Sequence, residues 1–542
     1  MAAIVERVDS YSSDDTDDTL LDASSSRHRL ERRLGETEAS YFLPSRESGV
    51  NDMYLHLGFR APPGVMKRSR VCSVWTLLRL KHPLLASRVV MRDYDDIKFV
   101  YVAPESVVDA LESADASLEY RSQSKDGRSL SISRFSMSKL SSEMIDAYLN
   151  GPRTLSNDRL SYLVISQQSA EDGSETLDEP QNFDLLLCAT HFLGDGMALH
   201  NFANDFFTLL ASDRVDEDLE TMLTDEWYSR WGGKKEDSAL GLPSALEDRL
   251  PPMADGKFHR AVRRVDFENS QAKLIGGHSF PRRSGNARKT VVPTVSIDPE
   301  RTKQMLKKCK AQSVSISAAL FSIVNIAWAK TCDRNWELPI MMYSALNLRS
   351  VLTASKAFND SYWYLAIGYF NDDEVVLPTF IPSSDKDVEQ TFWHRARSAK
   401  NQSTRAAKSP MLVSRSLEMA QKRGQQARCW AREDDEKERG TWKAPPPPPA
   451  SKQVTNKPPS AALIGLSLLG NLDGMYKHAA FPKIQLHTLT TGSRQRASGM
   501  LLFGYTFAGK LWISLGYDEA GFDDTVDRFW GNVLTAVDTL LG

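Results

Sequence analysis

The chain has 542 residues, 41% of them hydrophobic and 25% charged, with a formal net charge of -3. That length is too great for a single core and predicts two lobes of ordinary domain size, and the composition is that of a soluble globular protein. The near-neutral balance argues against nucleic acid or an anionic membrane surface as the main partner. The five cysteines are scattered, with no CxxC pair, and exclude a disulfide framework or a cysteine metal site, as expected of reduced thiols in a cytoplasmic setting.

Residues 1–30 carry Asp14, Asp15, Asp17 and Asp18 among serines, too little apolar surface to offset ordering, and are expected to be a disordered acidic tail. No secretory signal and no membrane span is expected: the longest apolar helical stretch, 318–329, is too short to cross a bilayer. A helix is predicted from residue 71 to about Lys81, broken by Pro83, with His82 structural. Strands follow at 96–102, 160–166 and 182–190, with a polar loop at 167–181, which together predict a mixed α/β layer.

The segment 183–210, FDLLLCATHFLGDGMALHNFANDFFTLL, organises the chain. Residues 183–189 form an apolar run of buried-strand length. Leu199, Phe202, Phe206 and Leu209 then recur at helical spacing. Between them stands His191-Phe192-Leu193-Gly194-Asp195-Gly196. A histidine at the end of a buried strand is fixed in place and open to a channel, and its ordinary pKa suits general-base work, although such a histidine is more often simply satisfied by its neighbours. Asp195 is short enough to turn inward and pair with a cation, and Gly196 is expected to take a backbone angle that other residues disfavour.

Residues 213–255 are acidic, then proline-bearing, and suggest helical and loop covering. Residues 256–290 are the most basic stretch, with Lys257, Arg260, Arg263, Arg264, Lys273, Arg282, Arg283, Arg288 and Lys289. A solvated crossover linker is the plainer reading; a cationic rim for phosphates is the functional one. In the second half, 290–297 predicts a strand and Asp298-Pro299 a helix start. Ser315 opens a helix running to Lys330, and 338–345 predicts a strand that ends in Asn347-Leu348-Arg349. Surface helices are predicted at 385–406 and 411–428. Residues 431–460, with Pro445 to Pro449, are expected to be a mobile insertion, either a solvated loop or a ligand for a proline-reading module. Strands at 461–469, 486–491, 498–507 and 511–517 are expected to complete one sheet, closed by a helix at 523–541.

The His191–Gly196 segment resembles the HxxxDG signature of the CoA-dependent acyltransferase superfamily. That superfamily includes plant BAHD enzymes, fungal trichothecene O-acetyltransferases, chloramphenicol acetyltransferase and peptide-synthetase condensation domains. The resemblance extends over most of the chain after about residue 30, including the "hP.L..r" end of the first helix and the "N.R" strand end at Asn347–Arg349. Gly368-Tyr369 departs from the family's Gly-Asn. Gly470-Asn471-Leu472-Asp473-Gly474 departs from the plant Asp-Phe-Gly-Trp-Gly and is nearer a Ser-Asn-Leu-Gly type, with Ser467 and Asn471 as its polar members.

The resemblance implies an α/β fold of two chloramphenicol-acetyltransferase-like lobes, each a mixed sheet flanked by helices, with a tunnel between them. The lobes are expected at 31–255 and 291–542, joined by the basic crossover 256–290. His191 would be the base for acyl transfer from acyl-CoA to a small-molecule alcohol, with Asp195, Gly196 and Arg349 structural and Ser467 or Asn471 near the oxyanion. The resemblance requires no metal or redox cofactor, acyl-CoA being a co-substrate, and a monomer is expected. By resemblance alone, the acceptor is a secondary metabolite or a glycolipid. Condensation domains carry a histidine where this chain has Thr190, which favours CoA thioesters over carrier-bound ones; a non-catalytic binding relative is the other alternative.

Overall fold

A computed structural model describes residues 28–122, 139–167, 179–232, 241–271, 276–285, 287–353, 361–369, 375–444 and 461–542. Strands of the first half are β1 (Arg29–Arg33), β2 (Met53–Ala61), β3 (Arg88–Met91), β4 (Ile97–Val102), β5 (Leu118–Ser122), β6 (Ser161–Gln167) and β7 (Gln181–Ala189). Those of the second are β8 (Thr290–Val291), β9 (Thr294–Ile297), β10 (Ile340–Asn347), β11 (Ile367–Tyr369), β12 (Val375–Leu377), β13 (Ile464–Asn471), β14 (Gln485–Ser493), β15 (Met500–Phe507) and β16 (Lys510–Asp518).

The first lobe is built on a five-stranded sheet ordered β14-β2-β7-β6-β5, antiparallel except for the β5–β6 pair. A separate antiparallel sheet, β1-β4-β3, lies beside it. The second lobe follows the order β11-β10-β13-β15-β16-β8, with β12 on β10 and β9 on β16, and parallel pairing at its centre. Each lobe is thus built on a mixed sheet flanked by helices, as the sequence implied, with the small antiparallel sheet added to the first.

The unbroken apolar run of β7 follows from its position. It is the middle strand of five, with residues 183–189 all buried and therefore covered on both faces. Its one charge, Asp184, accepts bonds from His56 Nε2 at 2.7 Å and Ser141 Oγ at 2.9 Å. The helix Gly196–Leu210 packs on this sheet, with Phe202 edge-on to Trp75 at 5.5 Å between ring centroids. In the second lobe the helix Ile316–Thr331 is almost wholly buried. Its polar residues are satisfied there: Ser322 Oγ donates to the Phe392 carbonyl and Asn325 Nδ2 to that of Pro378, both at 2.9 Å. Among the described residues, no single helix is long and apolar enough to cross a membrane.

Three expectations are corrected. β14 belongs to the first sheet, where it pairs with β2 from Gln485↔Arg60 to Ser493↔Met53. Its half-buried alternation does not reveal which sheet it joins. Residues 29 and 30, placed in the tail, already form β1 on β4. Within the basic crossover, residues 257–271 form a mostly exposed helix, Lys257–Gln271. The expected mobile insertion starts too early, because the helix Leu412–Glu438 runs through its first eight residues. Ala431 is buried in the first lobe's core, and Asp435 pairs with Arg46 and accepts from Tyr94. That helix packs one face along Glu36–Ser45 and exposes the other, as expected of a surface helix, while residues 445–460 lie outside the described residues.

Candidate active site

β7 ends at Ala189, and a single short turn, His191–Leu193, separates it from the helix Gly196–Leu210. His191 Nδ1 lies 3.1 Å from the Gly194 carbonyl. A carbonyl can only accept, so Nδ1 carries the proton and Nε2 is left with its lone pair. The half-buried imidazole stacks on Tyr41, with ring centroids 4.3 Å apart and 25° between planes. The Arg423 guanidinium sits 5.6 Å from the other ring centre, that of Tyr41. Burial holds the His191 pKa below its ordinary value; Asp195 opposes that shift and Arg423 adds to it. His191 is therefore neutral at pH 7, the form a base requires.

Asp195 caps the helix that follows. Its Oδ1 accepts from the backbone N–H groups of Met197 at 3.0 Å and Ala198 at 3.2 Å. Its Oδ2 reaches across to the other lobe, accepting from Arg349 Nη1 at 2.7 Å and from the Ala366 N–H at 3.0 Å. Arg349 spends its other terminal nitrogen on the carbonyls of Tyr362 (3.3 Å) and Tyr364 (3.2 Å). The side chain of Asp195 is 4% exposed, so its charge is met almost entirely by the protein.

The two glycines of the turn differ from expectation. Gly196 is not in the left-handed region, and a Cβ there would meet only Leu469 Cδ2, at 3.7 Å. The sterically demanding position is Gly194. A Cβ there would lie 2.9 Å from Trp363 Cε3 and 3.0 Å from Ala198 Cβ. Trp363 is fully buried beneath the turn, Tyr362 donates to Asp205, and Tyr364 lies 4.0 Å under the Arg249 guanidinium. These three aromatics are packing residues of the turn and lobe contact, not cavity lining. His82 is buried against Tyr362 and hydrogen-bonded to Ser361, with its pKa lowered to about 3 by burial.

Both lobes contribute to a cavity of about 1050 Å³ into which His191 and Gly196 open. Its opposite wall is β10 and β13, including Tyr343, Asn347 and Ser467. Asn471 lies beyond the β13 bulge, exposed, accepting from Thr506 Oγ1 at 3.3 Å. It is not among the described lining residues, so of the two polar candidates on this strand only Ser467 faces the chamber. The lining is strongly cationic: Arg282, Arg349, Lys400, Lys408, Arg423 and Arg496 stand against Asp195 as the one acid among the described lining residues. Of the basic residues of 256–290, Arg282 alone is among them, so the cationic rim drawn from that stretch is misplaced. Tyr41, Arg423 and Arg496 were not singled out, because nothing local in sequence marks a side chain that reaches a site from an element distant in the chain. Among the described residues no cluster of histidine, cysteine and acidic side chains could hold a metal ion.

Two mixed sheets, a histidine turn at the end of the first and an arginine clamp from the second make up a two-lobed α/β fold. Solved structures share it over nearly the whole chain. The trichothecene 15-O-acetyltransferase TRI3 from Fusarium sporotrichioides superposes with a TM-score of 0.70 at 13% identity, covering 96% of this chain and 97% of that one. Polyketide synthase associated protein 5 from Mycobacterium tuberculosis gives 0.55 at 11% identity, covering 94% and 98%. The first condensation domain of the calcium-dependent antibiotic synthetase gives 0.55 at 12%, covering 96% and 97%. Neither a family model nor a curated protein matches the sequence.

Proposed function

We propose that this protein is an acyl-CoA-dependent O-acyltransferase that acylates a hydroxyl of a small molecule, a secondary metabolite or a glycolipid. The observation that carries the proposal is the His191 tautomer: Nδ1 is held by the Gly194 carbonyl, which leaves a neutral Nε2 on a chamber walled by both lobes. Nε2 takes the proton of the acceptor hydroxyl as its oxygen attacks the thioester carbonyl. The negative charge passes to the carbonyl oxygen of the tetrahedral intermediate, where a donor is worth about 3 kcal/mol, and the Ser467 hydroxyl is the candidate. Collapse breaks the carbon–sulfur bond, and His191 returns its proton to the departing thiolate. Asp195 and Arg349 keep the turn in register with the opposite wall and do not touch the reacting atoms.

The cationic lining supports an anionic co-substrate such as the phosphates of coenzyme A, and the N-terminal residues Ser315 and Ser317 of a long helix open on the same chamber. Purified protein is incubated with acetyl-CoA and a panel of alcohols, and free thiol and acylated product are followed together. The proposal predicts acceptor-dependent thiol release that His191→Ala abolishes. Release with no acceptor dependence, or undiminished in that variant, overturns it.

A further inference from the structure

A base acts along the direction of its lone pair, and a histidine base is ordinarily aimed by a third group on its other nitrogen. For His191, among the described residues, that group is one carbonyl, that of Gly194 at 3.1 Å. Asp195, the acid of the same turn, cannot assist. Its oxygens accept from Met197 N, Ala198 N, Arg349 Nη1 and Ala366 N, which fills the about four lone-pair sites of a carboxylate. One bond at Nδ1 leaves the imidazole free to rock about the N–H···O line. A hydrogen bond weakens steeply only at large misalignment, and the outer torsion of a histidine is broad. Nε2 lies off that line, so rocking sweeps its lone pair across the chamber.

Tyr41 closes this freedom. Its side chain is buried, and its ring stacks on the imidazole with centroids 4.3 Å apart and 25° between planes. A ring laid on the face of another opposes tilting, which an in-plane hydrogen bond does not. Tyr41 stands on the helix Glu36–Ser45, and that helix is itself fixed against the turn. Phe42, the next residue, meets Phe192 of the turn edge-on at 5.3 Å. Glu36 accepts from Arg428 of the helix Leu412–Glu438 at 2.6 and 3.1 Å. Arg423 of that same helix lies over the Tyr41 ring at 5.6 Å. The imidazole is thus backed by a ring whose own place is set from two helices.

We propose that Tyr41 is a positioning residue, whose ring face fixes the plane of His191 and so keeps Nε2 aimed at the acceptor hydroxyl. The work is done by the face of the ring and not by the Tyr41 hydroxyl. The proposal rests on the reading of His191 as the base. A misplacement of about 1 Å can cost about a hundredfold in rate, so loss of the face should appear in kcat. Packing alone would cost stability without that loss, and contact with the acceptor would raise KM.

The test uses the full chain with two readouts, acyl-transfer kinetics and NMR of the histidine rings. Tyr41→Leu keeps an apolar side chain but no flat face. It should lower kcat about ten- to hundredfold with KM within about threefold of the parent. Tyr41→Phe restores the face and should bring kcat back to within about threefold. The His191 ring signals, identified by their loss in His191→Ala, should be single and sharp in the parent and in Tyr41→Phe. In Tyr41→Leu they should be broadened or doubled. Should Tyr41→Leu fail to fold, Tyr41→Met, whose flexible side chain refills the same space, carries both readouts. Sharp, single His191 signals in the variant without the face overturn the proposal at any activity. So does a kcat loss in Tyr41→Phe equal to that in Tyr41→Leu, or a change confined to KM. Undiminished activity in His191→Ala overturns the base, and with it the part in the reaction given to Tyr41, while the ring signals still report separately whether the stack orders the imidazole.

Discussion

Among the links between the two halves of this molecule, two are of opposite kinds. At the His191–Gly196 turn the link is a point: one carboxylate, Asp195, accepts two bonds from its own helix and two from the other lobe. At β14 the link is a line, in which a strand from the end of the chain pairs with β2 through successive backbone bonds. Side chains only supplement it, as where Thr491 Oγ1 donates to the Tyr54 carbonyl at 2.9 Å. A point tie fixes an orientation and fails when a single atom changes. A line tie holds lobes together and tolerates the loss of one member. The candidate site stands on the first, and the sheet of the first lobe is completed by the second.

The sharpest break of that comparison leaves both ties intact. His191→Ala should lower kcat by a factor on the order of 10² to 10⁴ with unchanged thermal unfolding, since His191 makes neither link. In the parent protein, log kcat/KM against pH should fall on the acid side with a midpoint below the ordinary ~6.5 of histidine, because burial lowers the His191 pKa and keeps the base neutral further into acid. A midpoint above that value would show that the base lies elsewhere. Next come Asp195→Asn and Arg349→Met. Each should cost about 3–5 kcal/mol in denaturant unfolding and reduce activity, since each leaves a largely buried charge without its counter-charge. The double variant should be less damaged than the sum, and full additivity would mean that the two do not act as a pair.

Gly194→Ala should cost about 1–3 kcal/mol by forcing Trp363 or Ala198 aside. Gly196→Ala should be nearly neutral in stability, because its Cβ finds ordinary contact distance. The reverse order would overturn the account of the turn. A small effect is expected on the line tie. Thr490→Val removes the 3.3 Å contact to His56 Nδ1 and should cost only about 1 kcal/mol, with activity unaltered.

The parts legible in sequence were those set by local pattern. The apolar run of β7, the spacing of Leu199, Phe202 and Phe206, and the Asp298-Pro299 and Ser315 helix starts each carry their own cause. Asp298 and Ser315 do cap their helices, accepting from Arg301 N and Ala318 N. What escaped was decided by partners distant in the chain. β14 alternates like any half-buried strand, and only its partner β2, more than 400 positions earlier, says where it goes. Asn471 looked equivalent to Ser467, but the irregular pairing between Leu468 and Gly470 breaks the simple alternation of faces. The helix Lys257–Gln271 was hidden by its charges, because its apolar period faces away from any core. In the turn, the glycine that matters could not be told from its neighbour without knowing that Trp363 lies beneath.

The placement of β14 also bears on how the protein is made. The first lobe's sheet lacks its edge strand until residue 493 has been synthesised, 304 residues after β7 ends at 189. At about 5–20 residues per second that is roughly 15–60 s on the ribosome. During that interval β2 is an open edge, whose unpaired N–H and C=O groups can recruit the wrong strand. The nascent N-terminal lobe is thus a natural client for a chaperone. Expression of this lobe alone, however its boundary is drawn within the first half, should yield an aggregation-prone fragment that a separately supplied C-terminal half can rescue.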